Sequence, residues 1–97
     1  MYKLEYLPYF DLDLAMAEDY LYEHSPAAAD KLVAAIDKRI PALLEHPLMY
    51  PVYQYEASLR FMVLPYDYLA FYYVNEDAKT IQMYRLLRGM QDIPNIL

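Results

Sequence analysis

Residues 59–88 constrain this chain more than any other stretch. They read LRFMVL, then Tyr68 to Val74 (YLAFYYV), then Thr80 to Leu87 (TIQMYRLL). Each run is short, rich in aromatic and β-branched residues, and bounded by turn formers. Pro65-Tyr66-Asp67 separates the first two, and Asn75 to Ala78 separates the last two. Such runs, so closely joined, are expected to form an antiparallel meander. A meander needs something to cover one face, so the rest of the chain has to supply that cover.

The N-terminal half can do so. Tyr2 to Tyr6 alternates, with Tyr2, Leu4 and Tyr6 on one face, and reads as a short strand ended by Pro8. From Pro8 to Glu23, Phe10, Leu14, Ala17 and Leu21 fall on one helical stripe. His24-Ser25-Pro26 breaks the helix, with Ser25 placed to cap a second one that has Pro26 at its first position. Ala29, Leu32, Val33, Ile36, Ile40, Leu43 and Leu44 make the apolar stripe of that helix. Pro41 is expected to kink it, and Pro47 to end it. Leu48 to Ala57 has no clear period and reads as a loop, and residues 92–97 read as a short tail. The expected fold is α+β, in the order β-α-α-β-β-β. A helical hairpin packs on one face of the sheet, and the other face is open to solvent or a partner. The 97 residues are the size of one domain, 1–97.

Composition removes several function classes. With no cysteine, thiolate zinc sites, disulfides and cysteine nucleophiles are out. One glycine, Gly89, leaves no phosphate-cradling loop. His24 and His46 have no second ligand at metal spacing, so neither a metal nor a cofactor is expected. No segment is long and apolar enough to span a membrane, and the N-terminus does not read as a signal peptide, so a cytoplasmic protein is expected. The net charge of −6 lies mostly in the helical half, where the first 48 residues carry nine acids and four bases. A global footprint for nucleic acid is therefore absent, and any such contact would rest on a local cluster.

Three of the four bases in the sheet half are Arg60, Arg85 and Arg88. Arginine suits bidentate recognition of phosphate or carboxylate. The plain alternative for each is a solvated edge residue, or a pair with Glu56 or Asp92. Grouped at one end of the sheet, they would make a target-binding or phosphate-binding patch. Glu56, four residues before Arg60, could then serve as a general base. The tyrosines, thirteen in all, fit half-buried packing, a protein interface or base stacking.

Several pieces in order resemble the RelE/ParE superfamily of toxins from type II toxin–antitoxin systems, the plasmid-stabilisation type. They are YKLEYLP, Asp13-Leu14, Tyr20-Leu21, HSPAAADKLVAAI, the Ile40, Leu43 and Pro47 spacing, LRFMVLPYDYLAFYYV and IQMYRLLRGMQD. The resemblance spans residues 2 to 92. It implies a toxin neutralised by a cognate antitoxin, as a homodimer or a hetero-oligomer with that antitoxin. It also implies one of two targets. One branch cleaves mRNA on the ribosome without metal, and the other inhibits DNA gyrase without chemistry. On the nuclease reading, Arg60 matches the strand arginine that contacts the scissile phosphate. Arg88 stands where many members carry histidine, Arg85 matches a common basic position, and Glu56 or Tyr84 would move protons. The missing histidine, the sparse bases and the acidic surface favour gyrase-type binding or an attenuated member. The mRNA endoribonuclease is the alternative.

Overall fold

The computed structural model describes residues 1–97. The elements run β1 (Lys3–Tyr6), α1 (Pro8–His24), α2 (Pro26–Glu45), β2 (Val52–Tyr53), β3 (Glu56–Leu64), a single 3-10 turn (Pro65–Asp67), β4 (Tyr68–Asn75), β5 (Thr80–Arg88) and α3 (Ile93–Ile96). One five-stranded sheet has the order β1-β5-β4-β3-β2. The meander forms as its patterning requires. β4 is central and pairs antiparallel with both β3 and β5. β1 joins at the edge and runs parallel to β5, with Leu4 opposite Ile81 and Tyr6 opposite Met83.

The helical hairpin covers one sheet face. Phe10, Ala17 and Leu21 of α1 and Leu32, Ile36 and Leu43 of α2 are buried. They meet Met62, Leu64, Tyr68, Ala70, Tyr72, Ile81, Met83 and Leu86 from the sheet. Ser25 ends α1 and begins α2, but its hydroxyl makes no capping bond; its N–H donates to the Leu21 carbonyl at 2.7 Å instead. Pro26 needs no such partner, because it has no N–H to satisfy. α2 continues through Pro41, which lies exposed, to Glu45.

Two expectations need correcting. The stretch 48–57 is not all loop. Val52 and Tyr53 form an edge strand on β3, and β3 itself begins at Glu56. Two residues and a register shift give no readable period. The second sheet face is not open either. Ile93, with Ile96 and Leu97, packs on Leu59, Phe71 and Leu87 in a second apolar cluster. The expected tail is a short helix with Pro94 in its first turn, and its aliphatic residues cap the outer face.

Gly89 earns its place through space and not through backbone conformation. Its N–H donates to the Asp67 carbonyl at 2.8 Å. A Cβ there would lie 2.6 Å from a carboxylate oxygen of Asp67. The left-handed conformations fall instead on Tyr66, Asp67 and Lys79, at φ 62°, 64° and 53°.

Tyr72 is fully buried, and its hydroxyl donates to the Pro47 carbonyl at 2.8 Å. Burial pushes its pKa up to about 12, against the opposing pull of Arg60. In the unfolded chain the value is about 10. The folded state therefore holds this proton more tightly. The stability it contributes is complete below about pH 10 and is lost as pH climbs towards 12. Tyr72→Phe should flatten the fall in urea midpoint across that window. Equal slopes in variant and wild type would clear Tyr72 of responsibility.

Candidate functional site

The three arginines extend from the sheet toward the helix side, and each meets a different fate. Arg60 lies opposite Tyr72 on β4, and Arg88 lies opposite Tyr68. Four residues of strand and two strand spacings separate them, roughly 13 Å along the sheet and 10 Å across it. They do not form one patch.

Arg60 serves the chain itself. One Nη donates to the carbonyls of Leu48 at 3.2 Å and Tyr50 at 2.7 Å. Together with the Tyr72 hydroxyl on Pro47, it clasps the segment after α2 against the sheet. That segment carries exposed Leu48 and Met49. Arg60→Ala should cost about 1.5–3 kcal/mol, the usual range for hydrogen bonds to a charged donor. Faster amide exchange confined to the segment after α2 and its sheet contacts would accompany the loss. Unchanged exchange there would show that the clasp contributes nothing.

Arg85 is held by an acid on α1. Its Nε donates to Asp13 Oδ2 at 2.7 Å and its Nη2 to Oδ1 at 3.1 Å. Both side chains are largely buried. Asp13 Oδ2 also accepts the Leu86 N–H at 3.0 Å. This third bond has a topological cause. β1 follows β5 only as far as Met83, and beyond it the edge of β5 has no strand partner. Asp13 covers the N–H left there. The hydrogen bonds to Asp13 hold the Arg85 proton more tightly still. A bulge contributes to the geometry. Phe71 pairs with Arg85 but Tyr72 pairs with Met83, so Tyr84 is an extra residue in β5. The inward positions then shift from Ile81 and Met83 to Leu86.

Arg88 has no such partner. Its guanidinium lies 5.0 Å from the Tyr20 ring and 5.9 Å from the Tyr68 ring. Its buried Nε finds no acceptor, and no acid lies within salt-bridge distance. Tyr68 is raised in pKa by burial, with Arg88 opposing. Beside Arg88 runs a groove of about 540 Å³ between α1, the end of β5 and the C-terminal segment. Met16, Ala17, Leu86, Met90 and Ile96 supply apolar walls.

The remaining candidates stand apart. Glu56 is exposed at the start of β3 and accepts from the Ser58 hydroxyl at 2.8 Å. Tyr84 is half-buried, with its ring 5.1 Å from Tyr73. Neither makes a hydrogen bond or ion pair to Arg60 or Arg88. No group of three His, Asp or Glu residues is placed to hold a metal ion.

Sequence reading missed a second apolar stripe on α1. Tyr9, Leu12, Met16 and Tyr20 are all exposed, Met16 at 70%. Their spacing of three and four residues places them along one side of the helix. The signal was present in the sequence, but a helix apolar on two sides looks only weakly amphipathic.

The fold and this groove can be set beside known proteins. The family model of the ParE toxin of type II toxin-antitoxin systems, parDE, matches residues 4–93. The chain belongs to that family. Among solved structures, the chromosomal ParDE TA system from P. aeruginosa is similar at 23% identity and a TM-score of 0.72. The similarity covers 91% of this chain and 96% of that one. No curated protein matches the chain. The ParE-type arrangement of strand, helical hairpin and meander is thus the frame on which the three arginines are set. No helix of this ParE-family chain is long and apolar enough to cross a membrane.

Proposed function

We propose that this ParE-family chain is a cytoplasmic toxin, silenced by a cognate antitoxin, that acts by binding a macromolecular target in the manner of a gyrase inhibitor. The observation that carries this reading is the dispersal of the groups a nuclease would need. Cutting RNA by attack of its own 2′-hydroxyl requires a base, an acid and a phosphate clamp around one phosphorus atom. Here Arg60 holds backbone carbonyls, Arg85 holds Asp13, Glu56 holds Ser58 and Tyr84 packs on Tyr73. The exposed apolar stripe on α1 supplies what a binding protein requires, a rigid surface rich in Tyr, Leu and Met.

Induced expression tests the reading. Growth should arrest with mRNA intact and DNA damage induced, and the purified chain should inhibit gyrase supercoiling. Cleaved mRNA, abolished by Arg60→Ala in a variant that remains folded, would overturn it in favour of the ribosome-dependent endoribonuclease.

A further inference from the structure

We infer that Arg88 and its groove form a receptor for a single carboxylate, presented by an acidic side chain with apolar neighbours on the antitoxin. The inference rests on the toxin–antitoxin reading and gives that partner its chemistry.

Arg88 as it stands is costly to the fold. A guanidinium carries five N–H donors in a fixed fork. Two tyrosine rings, Tyr20 from α1 and Tyr68 from β4, hold it by cation–π contact. Rings accept no in-plane hydrogen bond in place of a carboxylate. The buried Nε is left without an acceptor, and such a group costs free energy until something supplies one. Arg85, three residues away, shows what a satisfied arginine looks like in this fold. Its fork meets Asp13 through two bonds. Arg88 is the same side chain, oriented by its rings, with the acid missing.

The surroundings specify the acid's carrier. Of the residues lining the groove, Asp13, Arg85 and Arg88 are charged. Asp13 is already bonded to Arg85, so the lining keeps one positive charge unanswered within a molecule of net charge −6. That local excess favours an anion. The walls favour a protein anion over a nucleic-acid backbone. Met16 and Met90 are exposed at 70% and 72%, and with Ala17 and Leu86 they offer apolar contact that a phosphate chain cannot use. The acidic surface elsewhere would repel a polyphosphate, yet costs one carboxylate on a mostly neutral segment little. The flexible methionines can repack around an aliphatic side chain beside the acid.

The probe for the test is the small protein encoded in the neighbouring reading frame, titrated against the full chain by calorimetry. Arg88→Met keeps the apolar stem and removes the fork. It should weaken binding about 10- to 100-fold. Arg88→Lys should recover only part of this, since an ammonium cannot make the bidentate contact. Met16→Glu guards against misfolding as an explanation, because Met16 is exposed. It places a competing acid in the groove wall, one helical turn from Tyr20, and should also weaken binding. On the partner, one acid changed to its amide should cause the same loss in the wild-type background and none with Arg88→Met. Unchanged affinity for Arg88→Met, or losses that simply add for every partner acid, would overturn the inference while leaving the antitoxin reading intact. Absence of any wild-type complex would overturn the antitoxin reading itself, and the inference with it. If Arg88→Met instead lowers binding of a single-stranded RNA oligonucleotide and spares the partner protein, the ligand is phosphate and the inference fails.

Discussion

Asp13→Ala should destabilise the protein by about 3–5 kcal/mol, the range for removing one partner of a largely buried ion pair. The substitution strands the Arg85 guanidinium and the Leu86 N–H together, because one carboxylate serves both. It also uncovers the edge of β5 where β1 has ended. Urea unfolding should therefore show a lower midpoint with an unchanged slope. Asp13→Asn should fall between, as its amide oxygen can accept from one donor but carries no charge. The double variant Asp13→Leu with Arg85→Met separates charge burial from packing. Replacing both charges with apolar groups of similar size should restore much of the loss. A midpoint for Asp13→Ala equal to wild type would mean that water or another group satisfies Arg85 and Leu86 fully.

Deleting residues 93–97 is the second large effect. Ile93 is buried, and Ile96 and Leu97 are half-buried against the outer sheet face. Full burial of an aliphatic side chain stabilises by about 1.5–3 kcal/mol, so the segment contributes roughly 3–5 kcal/mol in all. The shortened chain should also bind a hydrophobic dye and associate at high concentration, since Leu59, Phe71 and Leu87 would form a bare apolar patch. Ile93→Ala alone should reproduce more than half of the loss. A shortened chain that unfolds at the wild-type midpoint and stays monomeric would show that the outer face needs no cover.

Much of this architecture is readable from residue spacing. The meander announces itself because Tyr68, Ala70 and Tyr72 alternate with Leu69, Phe71 and Tyr73, and both sets are apolar. That pattern implies a central strand buried on two sides. The same pattern argues for a covered outer face, against the expectation of a face open to solvent or a partner. The five residues that provide it carry too little pattern to identify a helix of four residues. The bulge left a trace in Ile81, Met83 and Leu86, where the inward spacing changes from two to three. Period-two reasoning passes over such a step. The arginines were the least legible. Each is plausible as a phosphate ligand in isolation, and what distinguishes them lies 72 residues away in Asp13 for Arg85 and in the carbonyls after α2 for Arg60. Long-range partners leave no mark at the position they satisfy.

The parallel pairing of β1 with β5 has a consequence in time. Leu4 cannot meet Ile81, nor Asp13 meet Arg85, until β5 has been made. At about 5–20 residues per second, roughly 4–15 s of synthesis separate one end of each pair from the other. Until then the helical hairpin has part of its cover but lacks the strand that joins it to the sheet edge. The groove beside α1 does not exist either, because Leu86, Arg88, Met90 and Ile96 are made after α1. A nascent chain is therefore without the groove at Arg88 until β5 and the segment after it have been made. The groove thus joins residues of α1, made early, to residues of β5 and α3 made seconds later.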